Sequence, residues 1–320
     1  MNKTFGTGVF VIGFRKCGTT TVFDFLKNTG LYRACRIKEP QFFCLAPQLV
    51  DVQIGWYKNL FEKGSKPILD GSTLYVQSGS ARDKILAQVS RPKFVVCVRD
   101  PARRMYSAYW HQRAKPGGIE KRSFEAVLES LRPGQHDLWY RESTALTAAA
   151  QKGLIDTRDL GNDYHRRHYG ADFDTVGPDP LSFFRYAGES MYSRWIMPWL
   201  NRPDTHLVFF ELLVRQPEEE LRRLAAFLEL PADTPLLLPA NRNRNYDASQ
   251  SFWLNRLVKA GIYEKLKRLA PDRLKAWWRN RVLPEAGKIS LSEQKTVREI
   301  LTEEYSFWEN HFPETKRLWQ

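Results

Sequence analysis

The sequence predicts an α/β protein: a P-loop-like central parallel sheet flanked by helices, with a helical C-terminal part. Three observations carry this. A β-branched apolar run, a glycine loop and a helical pattern follow one another near the start of the chain. A second apolar run ends in Arg-Asp-Pro at residues 99 to 101. A third, at 205 to 213, leads into an amphipathic helical pattern. Buried strands that alternate with helices make a parallel sheet covered on both faces.

The first strand is GVFVIGF, residues 8 to 14. The helix after it is TTTVFDFLKNTG, with Val22, Phe23, Phe25 and Leu26 apolar and Gly30 as its stop. The second strand is PKFVVCVRDP, 92 to 101, where Pro101 suits the first turn of a helix. The third is THLVFFELL, 205 to 213, followed by QPEEELRRLAAFLEL with Leu221, Leu224, Ala225 and Leu228 on one face. Residues 114 to 185 are punctuated by glycine and proline and poor in strand patterns, so they read as an insertion on the sheet's rim. The whole chain, 1 to 320, reads as one domain, with 250 to 320 as a basic helical C-terminal part.

Between the first strand and its helix, residues 13 to 20 spell G-x-x-x-x-G-T-T. A nucleotide-hydrolysing P-loop needs lysine where Thr19 stands, and here Lys16 lies inside the loop instead. Gly13 and Gly18 allow backbone N–H groups to turn toward an anion. Arg15 and Lys16 add charge, Cys17 lies between them and Gly18, and Thr19 and Thr20 bring hydroxyls to a helix N-terminus. The second motif, VRDPARRMYSAYWHQR (98 to 113), places Arg99 at a strand end and Ser107 on the following helix. Arginine with a serine hydroxyl suits a terminal phosphate.

With these two motifs the chain resembles the sulfotransferases that use 3′-phosphoadenosine 5′-phosphosulfate (PAPS), and within them the heparan-sulfate-type carbohydrate branch and its bacterial relatives. The resemblance implies that Arg15, Lys16, Cys17, Gly18, Thr19 and Thr20 hold the 5′-phosphosulfate and that Arg99 and Ser107 hold the 3′-phosphate. IKEPQFF, 37 to 43, is similar to the element of that branch that carries the general base, which falls on Glu39; the other reading of Glu39 is an ion-pair partner of Lys38. Lys38, Asp70 and Tyr192 are candidates for acceptor contact. Arg242 and Arg244 in NRNRNYD fall where the family has a late loop touching the 3′-phosphate, or form an exposed polar loop. LDGSTLYV, 69 to 76, departs from the family, since Gly71 stands where glycosaminoglycan enzymes carry a lysine.

The chemistry implied is sulfuryl transfer from PAPS to a hydroxyl of a carbohydrate or glycolipid. Charge builds on the bridging oxygen of the phosphosulfate, where Lys16 meets it, and Glu39 takes the acceptor's proton. No metal is expected; His165 and His168 have metal-like spacing, but neither a cysteine nor an acid nearby completes a site. The alternatives are a P-loop kinase using ATP, which the missing lysine after Gly18 opposes, and a non-catalytic nucleic-acid binder.

Lysine and arginine exceed acids 49 to 36, a net +13 that favours an anionic partner without choosing one. Cys17, Cys35, Cys44 and Cys97 show no framework spacing, and no apolar window has membrane-spanning length, so a soluble cytoplasmic protein is expected. Segment 255 to 282 carries nine basic residues and two acids beside Trp277 and Trp278. It reads as amphipathic helices packed on the core, or as a membrane-peripheral contact that meets a lipid-linked acceptor. Co-sedimentation decides between these: binding to anionic but not neutral vesicles supports the membrane contact, and binding to neither leaves the packed helices.

Overall fold

A computed structural model describes residues 3–114, 119–134, 136–156, 180–237 and 287–320. The chain divides into two compact units, 1–100 with 191–241 and 303–320, and 101–190 with 242–302.

The first unit is built on a five-stranded sheet, β1 (Phe5–Gly13), β2 (Arg33–Ala34), β3 (Ile68–Asp70), β4 (Val89–Val98) and β5 (Thr205–Phe209), in the order β2-β3-β1-β4-β5. All four pairings are parallel. Val9 to Ile12 and Phe94 to Val98 are buried, the continuous apolar runs expected of strands covered on both faces. From β1 the chain runs to β2, returns to β3 and then crosses to β4 on the other flank of β1. Connections leaving β1 and β4 therefore part in opposite directions. The crevice outside their carboxyl ends is where open α/β sheets bind ligands.

The pairing of β1 with β4 is close at that end. Gly13 lies opposite Cys97, has φ of 131°, and a Cβ there would meet the Cys97 carbonyl oxygen at 2.4 Å. Helix α1 (Thr19–Asn28) buries Val22, Phe23, Phe25 and Leu26 against the sheet side, as its periodicity predicts, and Gly30 follows its end with φ of 69°.

The third predicted strand is shorter than its apolar run. β5 ends at Phe209, paired with Val98, and Phe210–Arg215 is helical. Pro101 starts a helix and ends β4 as a partner, so the apolar residues beyond Phe209 have no strand to pair with. A helix at Pro217–Leu228 then buries Leu221, Leu224 and Leu228. β2 and β3 have two and three residues, too few for any periodicity to announce them.

The second unit holds α4 (Pro101–Arg113), α5 (Phe124–Glu129), α6 (Leu138–Gln151) and a capped helix at Leu291–Ile300. The region read as a strand-poor insertion is thus partly helical. Two buried ion pairs lie in it, Arg104 with Glu189 and Arg122 with Glu120 at 2.7 Å. Of the basic C-terminal part, 287–320 is described and forms three helices, while 255–282, Arg242 and Arg244 lie outside the described residues, as do His165 and His168.

Substituting Gly13→Ala is expected to cost about 2 to 3 kcal/mol, the range for overpacking a close contact, because the added carbon would sit inside the β4 backbone. Urea denaturation measures it; a loss under about 0.5 kcal/mol would show that the strand ends adjust freely.

Candidate active site

The glycine loop leaves β1 at Phe14 and enters α1 at Thr19. Lys16 (φ 73°) and Gly18 (φ 90°) are both in the left-handed region, which folds the loop tightly. At Gly18 the glycine is also required by space, since a Cβ would lie 2.6 Å from a ring carbon of Phe210. The N–H groups of Thr21 and Val22 donate to the Gly18 carbonyl. Those of Gly18, Thr19 and Thr20 donate to no described group. They sit at the positive end of the α1 dipole, where an anion is favoured.

Cys17 turns inward. It is fully buried, with Sγ 3.6 Å from the Tyr192 hydroxyl, so only its main chain faces the loop's outer side. Tyr192, expected in an acceptor cleft, is also fully buried, with its ring 4.2 Å from that of Phe14. It supports the loop from beneath and lines no cleft. Next to it, the N–H and hydroxyl of Ser193 donate to Glu304, which also accepts from Trp308 Nε1 at 2.6 Å.

Arg99 follows β4. Its Nη1 donates to the Lys16 carbonyl at 3.1 Å, and its guanidinium carbon lies 4.5 Å from the centroid of the Phe210 ring. Its Nε is buried and has no hydrogen-bond partner among the described residues. A buried donor without a partner is costly. Ser107 belongs to α4 in the other unit and is buried there.

Glu39 is about a third exposed. Its Oε1 pairs with Lys38 Nζ at 2.5 Å, and its Oε2 accepts from Thr73 Oγ1 at 3.2 Å and Gln41 Nε2 at 3.4 Å. The ion pair that the sequence offered as an alternative is therefore formed, and a second set of bonds orients the other oxygen. Asp70, the other expected acceptor residue, is fully buried and accepts from Tyr57 (2.6 Å), Tyr75 (3.0 Å) and the Ser72 N–H (2.8 Å). Burial pushes its carboxyl above the usual range. Asp70 thus anchors the turn that carries Thr73 to Glu39 and does not face an acceptor. At Gly71 a Cβ would lie 2.8 Å from Phe23 Cδ2 and 3.0 Å from the Lys38 carbonyl oxygen, so no lysine fits there.

Sequence reasoning missed Phe210, Glu211, Tyr305 and Trp319, which surround Arg99 and Asp100. The FFELL run reads as continuing strand, and the C-terminal aromatics read as ordinary core. A cavity of about 480 Å³ lies beside β5, lined by His206, Leu207, Arg215, Glu220 and Arg317 among others; no donor-loop residue lines it. Among the described residues no metal-holding group of His, Cys, Asp and Glu occurs, and no helix is long and apolar enough to cross a membrane.

Fold and loop together define a parallel α/β protein with a glycine loop at the switch point of its sheet. The family model described as "Sulfotransferase domain" matches residues 7–141 of this chain. Over 131 residues it is 30% identical to the bifunctional heparan sulfate N-deacetylase/N-sulfotransferase 1 of Caenorhabditis elegans. The match spans 38% of this chain and 15% of that relative. Among solved structures, a sulfotransferase from Alicyclobacillus acidocaldarius is 17% identical with a TM-score of 0.45, covering 87% of this chain and 100% of that one. Mouse sulfotransferase SULT7A1 complexed with PAP is 12% identical with a TM-score of 0.41, covering 99% and 88%.

Burial raises the Glu304 carboxyl from 4.5 to about 7, against the donors that surround it. In the folded protein it holds its proton to about pH 7, while the unfolded chain releases it near 4.5. Stability contributed here is therefore present below pH 4.5, falls as pH rises toward 7, and is flat above. The fall is on the order of 3 kcal/mol. Glu220, also raised to about 7 by burial, adds in the same sense. Urea denaturation from pH 4.5 to 8 is expected to give a flatter curve for Glu304→Gln than for wild type. Parallel curves would remove Glu304 from the pH response.

Proposed function

We propose that this protein transfers a sulfuryl group from PAPS to a hydroxyl of a carbohydrate or glycolipid, through one sulfotransferase domain that uses the whole chain. The observation that carries the reading is Arg99, tied to the Lys16 carbonyl, with its buried Nε unpaired beside an anion-directed loop. The C. elegans relative, a heparan sulfate N-sulfotransferase by name, supports a carbohydrate acceptor. Gly71, with no room for a cation, favours an acceptor of low charge.

The donor supplies an activated sulfur–oxygen bond, which breaks as the acceptor oxygen bonds to sulfur. The N–H groups of Gly18, Thr19 and Thr20, with Arg15 and Lys16, hold the 5′ end. Lys16 meets the charge that grows on the departing bridging oxygen. Arg99 and Ser107 hold the 3′-phosphate, and Arg242 and Arg244 are assigned to it as well. Glu39 takes the acceptor's proton, kept in aim by Thr73, Gln41 and its ion pair with Lys38. Thr19 in place of a P-loop lysine argues against ATP as the donor.

Three substitutions separate donor from acceptor roles. Arg99→Ala is expected to weaken binding of 3′-phosphoadenosine 5′-phosphate by about 1.5 to 3 kcal/mol, the range for hydrogen bonds to charged groups. Glu39→Gln is expected to keep that affinity and lose about 10²–10⁴ in turnover, the usual contribution of a general base. Lys16→Ala is expected to lose about 10²–10³ in turnover and some donor affinity. Calorimetric titration and turnover on one accepted sugar measure these. A shift with ATP–Mg but none with the 3′-phosphorylated nucleotide would favour the kinase; a Glu39→Gln enzyme at wild-type turnover would need another base.

A further inference from the structure

The ends of β4 and β5 dock residue on residue. Arg99 lies over the Phe210 ring at 4.5 Å, and the next residue along, Asp100, donates its N–H to Glu211 Oε1 at 3.1 Å. Both carboxylates are buried, and both are held from the end of the chain. Tyr305 donates its hydroxyl to Asp100 Oδ1 at 2.5 Å, and Trp319 Nε1 donates to Glu211 Oε2 at 3.2 Å. Burial pushes the Glu211 carboxyl up, so its hydrogen bonds to Asp100 and Trp319 are what keep it in place.

Phe210 touches the donor loop as well. Its ring edge occupies the space a Cβ would need at Gly18, 2.6 Å from the would-be carbon. One ring therefore abuts both parts of the proposed donor site: the loop at Gly18 and the guanidinium of Arg99. A guanidinium resting on an aromatic face keeps its plane parallel to the ring and its N–H edge free for an acceptor. With Nη1 already committed to the Lys16 carbonyl, two points fix the fork and leave Nε buried and unpaired.

From this arrangement we infer that Phe210 is a positioning residue that sets Arg99 for recognition of the donor's 3′-phosphate, and that the C-terminal segment, through Tyr305, clamps the same unit. The inference rests on the donor reading above and adds to it the origin of 3′-phosphate selectivity. Phe210 itself need not touch the nucleotide; the stacked face orients Arg99, and the Tyr305 hydroxyl holds the carboxylate of Asp100, the residue that follows it.

The test is nucleotide discrimination by the full-length protein, read as the Kd for adenosine 5′-phosphate divided by that for 3′-phosphoadenosine 5′-phosphate. Phe210→Leu is expected to lower this ratio about threefold to tenfold, the scale of a lost cation–π contact, with little change in affinity for adenosine 5′-phosphate. Phe210→Tyr, which keeps the ring, is expected to restore it. In the Arg99→Ala background Phe210→Leu is expected to change the ratio no further, because the two act through one guanidinium. An unchanged ratio in Phe210→Leu, or an equal fall with and without Arg99, overturns the inference. Should Phe210→Leu fail to fold, Tyr305→Phe, which removes one hydroxyl, takes its place with the same expectation of a lowered, Arg99-dependent ratio, and an unchanged ratio overturns the clamp. If Arg99→Ala itself leaves the ratio untouched, the donor reading falls and takes this inference with it; an Arg99-dependent ratio that ignores Phe210 and Tyr305 sinks the inference alone.

Discussion

The close parallel contact of β1 with β4 at Gly13 is the constraint on which the site depends. With Gly13 set against the Cys97 main chain, the two strands end side by side, and the residues after each emerge at one point. That is why the Lys16 carbonyl can accept from Arg99 across 83 positions of sequence. Any side chain at Gly13 would wedge the strand ends apart before the loop could form.

Around that contact the unit keeps several carboxylates out of water: Asp70, Asp100, Glu211 and Glu304. Burying a charge is expensive unless hydrogen bonds compensate, and here each carboxylate gathers donors, those of Asp100, Glu211 and Glu304 including groups more than 100 positions away. Tyr57, Tyr75 and Ser72 surround Asp70, which fixes the turn behind Glu39. Ser193 and Trp308 surround Glu304, beneath Tyr192 and the loop. Such networks specify one arrangement, because a shifted partner leaves a buried oxygen unpaired. The loop and Glu39, by contrast, are partly exposed.

Lys16 and Asp70 differ in their settings. Both are charged residues near strand ends. Lys16 sits in a strained, half-exposed turn, while Asp70 is sealed among tyrosines. Functional groups at such sites are commonly held in unusual backbone conformations by surroundings that over-determine them. The left-handed φ of Lys16 belongs to that class, and Gly18 and Phe210 are the surroundings.

The sequence by itself determined the parallel α/β architecture, the loop of Arg15 to Thr20, the strand end at Arg99, and the segment of Glu39. Each is local: a buried strand is a run of β-branched residues, and a helix N-terminus follows a glycine. Tertiary structure alone decided what those residues meet. That FFELL stops pairing at Phe209 depends on where β4 ends, and only then does Phe210 come to lie under Arg99. That Asp70 and Tyr192 are buried depends on the partners that close around them, Tyr57 for Asp70 and, 175 residues from Tyr192, Cys17, which no local pattern encodes. Gly71 likewise looks like a lost cation in sequence, but packing against Phe23 shows that its place is filled. Periodicity reports which side of an element is buried; it carries no record of the neighbour on the other side.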